Sequence, residues 1–255
     1  MNKDLTTLFT GRRSVILTEV DSTNTLLAKM LKEEQVPEGT AIQALNQIAG
    51  RGQAGAYWES EEGKNLLVSY VFYPSFIAPK DVFLINKAFA LAICECLSSL
   101  INSKLRIKWP NDIYWNDLKI AGLLIENSMS SSTISHCILG IGLNVNQTEF
   151  SPSTPNPVSL KLITGENHNL QIVFASLCTF IEARYLQLKN SEKSKIESGF
   201  NNVLYAVNVW RQFQTATNTF MGRILYVDEN GRLVIEDENN MVHFFNAKEV
   251  RFSNV

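Results

Sequence analysis

The first half of the chain is dominated by short runs of β-branched and aromatic residues, which are typical of β-strands. Two segments break this pattern and predict helices. Thr25 to about Glu34 follows the polar N-cap sequence Asp21–Asn24, and Val82–Leu100 has the 3.6-residue apolar period of a buried helix. The predicted strands are Ser14–Val20, Thr40–Leu45, Leu66–Tyr73, Leu105–Trp109, Ile113–Trp115, Lys119–Asn127 and Ile134–Asn146. So many strands with so few helices predict an α+β fold, with an antiparallel or mixed sheet flanked by helices.

The second half of the chain changes character after Val207. Two further helices are predicted, at Leu170–Lys189 and Lys193–Leu204. Short β-prone runs then follow one another closely, at Val209–Phe213, Thr219–Val227, Arg232–Asp237 and Met241–Asn246. The Asn230-Gly231 pair is typical of a hairpin turn, because these residues readily adopt positive φ. We therefore predict two domains: residues 1–207, and a small C-terminal β-barrel over residues 208–255.

Composition narrows the classes of function. The 255 residues are 45% hydrophobic and 19% charged, with 23 Lys and Arg against 25 Asp and Glu, and this balance argues against a protein that coats nucleic acid. No run of 18 apolar residues predicts a membrane span, so we expect no membrane association. The four cysteines lie among apolar neighbours at spacings that suit neither zinc nor a disulfide, which favours reduced thiols in a cytoplasmic protein.

A glycine-rich segment, Gly50–Gly55, satisfies the pattern G-x-G-x-x-G of dinucleotide-binding loops. The dinucleotide interpretation fails, because the following residues lead into another strand instead of a helix, and no acidic residue lies about 20 positions further on. What remains is a flexible loop that carries one guanidinium, Arg51. Backbone N–H groups and a permanent planar cation suit a phosphate, so this loop is a candidate phosphate cover.

Three further clusters carry candidate chemistry. In Lys108–Asp112, a carboxylate beside an amide suits Mg²⁺ and the phosphates of a nucleotide. On the strand that begins at Lys119, strict alternation predicts that this lysine shares a face with Ala121, Leu123 and Ile125, so its amine either reaches water or faces a pocket. Glycines weaken strands, so the run Gly140–Asn146 predicts that a ligand or another part of the chain approaches closely there.

Taken in order, these clusters resemble the motifs of the biotin protein ligases, also called biotin–[acetyl-CoA-carboxylase] ligases. The resemblance rests on five segments: Asp21-Ser22-Thr23-Asn24, Gln47-x-x-Gly50-Arg51-Gly52-x-x-Gly55-x-x-Trp58, Lys108-Trp109-Pro110-Asn111-Asp112, Lys119-x-x-Gly122-x-Leu124 and Gly140-x-Gly142-x-Asn144-x-Asn146. It implies a catalytic fold similar to the class II aminoacyl-tRNA synthetase domain, followed by a small SH3-like barrel. The first motif begins at Asp21, which leaves no room for the N-terminal DNA-binding domain of some bacterial members, so we expect an enzyme only.

The resemblance implies a two-step reaction. Biotin attacks MgATP to form biotinyl-5′-AMP, and a lysine of a biotin carboxyl carrier domain then takes the biotinyl group. Lys119 and Arg51 are the implied catalytic residues. The implied biotin-binding residues are Ser22, Thr23, Asn24, Gln47, Gly50, Arg51, Gly52, Gln53, Lys119 and Gly122. The implied ATP- and Mg²⁺-binding residues are Arg51, Trp58, Lys108, Asn111, Asp112, Lys119 and Asn144, with Asp112 as the Mg²⁺ ligand and Trp58 read chiefly as packing.

Gln53 and Ala54 depart from the family pattern, because many family members carry basic residues at these places, and we therefore expect the loop to retain the adenylate less tightly. A lipoate–protein ligase is the nearest rival interpretation: the segment Gly11–Ser14 is similar to the start of that family's motif, but no glycine run follows it. A catalytically inactive biotin-binding protein is a second rival, against which intact Lys119 and Arg51 argue. A nucleic-acid-binding module that uses the barrel is a third, and the balanced charge disfavours it. Monomer and homodimer both stay open.

Overall fold

The computed structural model describes residues 5–130 and 132–253, which form two β-sheets and five α-helices. The strands of the larger sheet are β1 Ser14–Val20, β2 Ala41–Gln47, β3 Leu66–Phe72, β4 Arg106–Lys108, β5 Asp112–Trp115, β6 Leu118–Met129 and β7 Ile134–Leu143. The helices are α1 Thr23–Glu33, α2 Phe83–Ile101, α3 Leu160–Thr164, α4 Leu170–Lys189 and α5 Lys193–Asn202. The smaller sheet contains β8 Trp210–Gln214, β9 Thr219–Val227, β10 Leu233–Asp237, β11 Val242–Phe245 and β12 Arg251–Phe252.

The larger sheet is mixed, as the sequence predicts. Its strand order is β1-β2-β3-β7-β6-β5-β4, and only the β1–β2 pair is parallel. All seven residues of the interior strand β3 are buried, so both faces of the sheet are covered there. Tyr70 and Phe72 join the main core with α2 and α4, whereas Val71 packs with Leu27 of α1 on the opposite face. Because side chains alternate along a strand, Ser69 faces α1 as well.

Helix α2 is long and apolar enough to cross a membrane by length and composition alone. In the fold, however, most of this helix is buried, and its side chains form the main core together with β3 and α4. Its hydrophobicity is therefore explained by its position between the sheet and α4.

The smaller sheet is antiparallel, with the order β11-β10-β9-β8-β12, and its β9–β10 turn docks on the larger unit. The buried Lys87 of α2 donates hydrogen bonds from Nζ to the carbonyl oxygens of Val227, at 3.2 Å, and Asp228, at 2.9 Å. Trp109 Nε1 donates to the carbonyl of Gly231 at 2.9 Å. The turn is thus held by side chains of the larger unit on two sides. The boundary at residue 208 stays a prediction.

The structure differs from the sequence prediction at a few element ends. Helix α1 begins at Thr23, two residues earlier than predicted, with Ser22 at the N-cap. Helix α3 and strand β12 are five and two residues long, too short to leave a periodic pattern in the sequence.

Candidate active site

A cavity of about 260 Å³ opens on the α1 side of the larger sheet, beneath the loop that follows β2. Most of the residues implied by the motifs line it: Ser22, Thr23, Asn24, Gln47, Arg51, Gly52, Gln53, Trp58, Asn111, Asp112, Lys119 and Gly122. Gly140, Ile141, Gly142, Leu123 and Leu124 complete its floor. Hydroxyl and amide groups from the start of α1 line one part of this cavity, and Lys119 and Asp112 line another. The cavity can therefore hold a molecule with a neutral polar group and an anionic group.

The polar end is built by the first turn of α1. Ser22, Thr23 and Asn24 are all buried, and among the described residues the side chain of Ser22 makes no capping hydrogen bond. The Gln47 carboxamide oxygen accepts hydrogen bonds from Thr23, at 2.7 Å from the backbone N–H and 3.1 Å from the hydroxyl. Ser69 Oγ lies 2.7 Å from Thr23 Oγ1 and 2.5 Å from Asn24 Oδ1. These side chains bond to one another across the cavity wall instead of capping the helix.

Three glycines of β6 and β7 form the floor. A Cβ added at Gly140 would overlap the amide of Asn24, and one added at Gly142 would overlap the indole of Trp58. Gly122 pairs with Gly142 across the strands, and its Cβ would lie 2.9 Å from the same indole. A larger residue would not fit at these three positions, because the side chains of Asn24 and Trp58 lie directly on the sheet. This confirms the close approach predicted for Gly140–Asn146.

Lys119 lies beside Gly122 and not on the face predicted for it. Its Nζ forms an ion pair with Asp112 Oδ1 at 2.8 Å, and a Cβ on Gly122 would lie 3.4 Å from Lys119 Cε. The prediction that Lys119 shares a face with Ala121, Leu123 and Ile125 is wrong. Strand β5 pairs residue 113 with 121 but residue 114 with 119, so Ile120 is an extra residue in a β-bulge. The bulge turns Lys119 to the cavity face.

The loop between β2 and β3 crosses the cavity and is tied at two places. The backbone N–H of Trp58 donates to the carbonyl of Gly50 at 2.9 Å, which closes the base of the loop. Arg51 Nη2 forms an ion pair with Glu126 Oε1 at 2.6 Å, and Nη1 lies 3.3 Å from Thr25 Oγ1. Gly50 lies outside the cavity in this arrangement, whereas Arg51, Gly52 and Gln53 line it.

A second cavity, of about 310 Å³, adjoins the first and shares Trp58 and Lys119 with it. Its walls include Asn144, Phe150 and prolines of the loop that precedes α3, so it is more apolar than the first. The Lys119 ammonium lies 5.4 Å from the centre of the Trp58 ring. Trp58 Nε1 is buried and has no hydrogen-bond partner among the described residues. An orphaned buried donor of this kind suits a ligand acceptor.

Two residues implied as nucleotide-binding make structural contacts. Asn144 Nδ2 donates to the carbonyl of Val158 at 3.1 Å, although the residue also lines the second cavity. Asn111 Nδ2 donates to the carbonyl of Leu123 at the edge of the first cavity. Their roles toward a nucleotide stay predictions.

Lys108 is the one implied site residue whose amine the structure places away from both cavities. Its Nζ lies 4.6 Å from the ring centre of Tyr114, 5.1 Å from that of Phe252 and 5.8 Å from that of Tyr205. It also donates to the Tyr114 hydroxyl at 3.3 Å. Burial lowers the pKa of Lys108, and the ammonium of Lys119 lowers it further, while Asp112 opposes the shift. Its charge is held at the junction with the smaller sheet.

A metal ion would find few ligands here. No cluster of three His, Cys, Asp or Glu side chains exists in residues 5–130 and 132–253. Asp112 is the carboxylate among the described residues that line the first cavity, and its partner is Lys119, which lines both cavities. One carboxylate suffices for Mg²⁺ that arrives with nucleotide phosphates, because such ions keep phosphate oxygens and water as their other ligands.

The residues of the site that the sequence interpretation missed include Glu126 and Ser69. Ser69 is the one polar residue in the buried strand β3, and this exception was a usable signal. Glu126 follows the apolar run of β6 and carries no comparable signal, because a carboxylate late in a strand is ordinarily solvated.

Residues 17–144 match the model of the biotin/lipoate A/B protein ligase family. The bifunctional ligase/repressor BirA of Bacillus spizizenii is 28% identical over 236 residues, which cover 91% of this chain and 72% of that protein. The biotin–[acetyl-CoA-carboxylase] ligase of Paracoccus denitrificans is 34% identical over 157 residues, 59% of this chain and 63% of the relative.

The fold is also similar to solved structures. The biotin protein ligase from Aquifex aeolicus, in complex with biotin and ATP, superposes with a TM-score of 0.79 at 26% identity, covering 95% of this chain and 100% of that one. This agreement extends through the C-terminal sheet and confirms the predicted fold class. By the family model and by its fold, the chain belongs to the biotin/lipoate A/B protein ligase family.

Proposed function

We propose that the protein activates biotin as biotinyl-5′-AMP at the expense of ATP and transfers the biotinyl group to a lysine of a biotin carboxyl carrier domain. One observation carries this proposal: two adjoining cavities share Lys119, and the first has a neutral polar end while the second is mainly apolar. Biotin has a neutral polar ureido group that suits the first cavity, and an adenine nucleotide has a flat base that suits the second. Each also carries an anionic group, and the two anionic groups would meet at Lys119.

Biotin fits the first cavity in one orientation. Its ureido ring carries one acceptor and two donors, which the hydroxyls and amides of Ser22, Thr23, Asn24 and Gln47 can satisfy. Its sulfur-containing ring and its acyl chain are apolar, and Leu123, Leu124 and Ile141 offer apolar contacts for them. Its carboxylate would then lie toward Lys119.

The nucleotide fits the second cavity. The Trp58 indole and Phe150 line this cavity and offer aromatic surface for the adenine. Asn144 lines the same cavity, and Asp112, which lines the adjoining first cavity, would hold Mg²⁺ brought by the phosphates. Arg51 would cover the α-phosphate from the loop above.

In the first step a carboxylate oxygen of biotin bonds to the α-phosphorus, and the bond to the bridging oxygen of pyrophosphate breaks. Negative charge builds on the α-phosphate oxygens, and Lys119, which lines both cavities, is placed to turn from Asp112 toward this charge and neutralise it. In the second step the carrier lysine amine attacks the acyl carbon, AMP leaves, and the amine loses a proton to solvent.

Lipoate is the nearest alternative substrate, because the matched family includes ligases for both acids. The segment similar to a lipoate ligase motif, Gly11–Ser14, is absent from the described lining of both cavities. Gly11 instead packs against Cys178, and Arg12 Nε donates to the carbonyl of Thr7 at 2.6 Å. This placement favours biotin.

Transfer to a carrier domain tests the proposal. The protein is incubated with biotin, MgATP and a biotin carboxyl carrier domain, and the intact mass of the carrier is measured. We expect a gain of one biotinyl group, no gain with lipoate, and none on a carrier whose target lysine is replaced by arginine. A carrier that gains lipoyl as readily as biotinyl, or gains neither, contradicts the proposal.

A further inference from the structure

Glu126 joins two parts of the site that lie far apart in the sequence. One carboxylate oxygen, Oε1, accepts from Arg51 Nη2 at 2.6 Å, and the other, Oε2, accepts from Asn24 Nδ2 at 2.7 Å. Arg51 belongs to the loop over the cavity, and Asn24 belongs to its polar end. A single side chain late in β6 therefore contacts both.

The contact with Asn24 determines the orientation of its amide. Asn24 Oδ1 accepts from Ser69 Oγ at 2.5 Å, and its Nδ2 donates to Glu126 and, at 3.4 Å, to the carbonyl of Leu124. A carboxylate can only accept, so it excludes the flipped amide in which Oδ1 would face Oε2. Asn24 is buried and its amide lies directly against Gly140, so the side chain is closely confined. Glu126 thus decides which Asn24 atom a ligand meets.

The contact between Glu126 and Arg51 opposes ligand binding, whereas the contact with Asn24 prepares the site for it. The guanidinium side chain is 48% exposed and the carboxylate 35% exposed, so their ion pair is weak and exchangeable. A phosphate at the same guanidinium forms a comparable charge-assisted bond and must displace Glu126 to use the same N–H groups. Glu126 therefore competes with the phosphate for Arg51.

We propose that Glu126 is a positioning residue with two separable effects: it orients the Asn24 amide for biotin, and it holds Arg51 until the nucleotide displaces it. The inference rests on the proposed function. It predicts opposite changes for the two substrates, which a general loss of structure would not produce.

The test compares three variants in biotin-dependent pyrophosphate exchange. Glu126→Gln keeps an acceptor for Asn24 Nδ2 but loses the charge that holds Arg51, whereas Glu126→Ala loses both. Glu166→Gln removes one exposed carboxylate elsewhere and is the matched control. For Glu126→Gln we expect a biotin KM near that of wild type and an ATP KM lower by about threefold, because the lost ion pair is partly exposed. For Glu126→Ala we expect a biotin KM higher by about tenfold, because a buried amide loses its partner.

Thermal unfolding of each variant, followed by circular dichroism, shows whether the fold is kept. If both Glu126 variants match Glu166→Gln in both KM values while wild type is active, the inference is overturned and the proposed function stands. An unchanged pair of KM values with a lower kcat would overturn it as well. If wild type itself shows no biotin-dependent exchange, the proposed function fails, and equilibrium dialysis of biotin against Glu126→Ala still tests the orientation of Asn24.

Discussion

Two lysines flank Asp112, and the structure gives them different surroundings. Lys108 is the residue opposite Asp112 in the β4–β5 hairpin, yet its amine lies among Tyr114, Phe252 and Tyr205 at the junction with the smaller sheet. Lys119 is paired with Asp112 by its side chain, remains 25% exposed, and lines both cavities. The first charge is enclosed by rings, and the second has a partner that a ligand can replace.

The difference shows that charge and proximity to a motif do not define a catalytic cation. An ammonium among aromatic rings is stabilised where it is, and moving it toward a phosphate would cost those contacts. An ammonium held by one partly exposed carboxylate can turn to a phosphate at small cost. We therefore expect substitution of Lys119 to lower the reaction rate strongly and substitution of Lys108 to lower it little.

The largest effect should come from Lys119→Ala. Loss of one preorganised charged donor at a developing negative charge typically lowers the rate by about 10²–10³. The measurement is the rate of biotinyl-5′-AMP formation, with the thermal midpoint as a check on the fold. Near-normal adenylate formation by a folded variant would remove Lys119 from its catalytic role.

The next largest effects should come from two glycines of the cavity floor, and each should act on a different substrate. Gly140→Ala should displace Asn24 and raise the KM for biotin by about tenfold or more, whereas Gly142→Ala should displace Trp58 and act mainly on the KM for ATP. Gly199→Ala is the control, because its new Cβ would meet only the flexible end of Leu91, at 2.9 Å.

Both KM values are measured for each of the three glycine variants. Equal effects of Gly140→Ala and Gly142→Ala on the two substrates would contradict the assignment of biotin and ATP to separate cavities.

The loop over the cavity should give a smaller, several-fold effect. Arg51 is the one Lys or Arg between Gln47 and Trp58, so tryptic cleavage after it reports on this loop alone. We expect cleavage to slow in the presence of biotin and MgATP, since a loop that contacts the adenylate is held more often in one conformation. Equal cleavage with and without both substrates would show that the loop does not close on them.

The smallest effect on activity should come from Lys108→Gln, at least about tenfold less than that of Lys119→Ala, because it lacks the electrostatic role. The main effect of Lys108→Gln is expected on the pH dependence of the free energy of unfolding. Because burial lowers the pKa of Lys108, the unfolded chain binds more protons between that lowered pKa and about 10.4, so this residue makes stability rise with pH across that window.

Unfolding free energies of wild type and Lys108→Gln, measured across that pH window, check the assignment. The unfolding free energy of wild type minus that of Lys108→Gln should rise with pH across the window. A difference independent of pH would show that Lys108 is not desolvated.

Much of the fold follows from local sequence patterns. The bounds of β1, β9 and α4 coincide with those predicted, because the periodicity of each element is carried by its own residues. The face of Lys119 was wrong because a bulge depends on the register of two strands, which no single strand encodes. The contacts of Lys108 with the rings of Tyr205 and Phe252 and the two contacts of Glu126 have the same origin, since their partners are distant in the chain.

The most direct test of the proposed chemistry is exchange of labelled pyrophosphate into ATP. Reversible adenylate formation predicts exchange that requires both biotin and Mg²⁺, that lipoate does not support, and that Lys119→Ala loses while Lys108→Gln largely keeps it. Exchange that proceeds without biotin, that lipoate supports equally, or that Lys119→Ala retains would contradict the proposed chemistry.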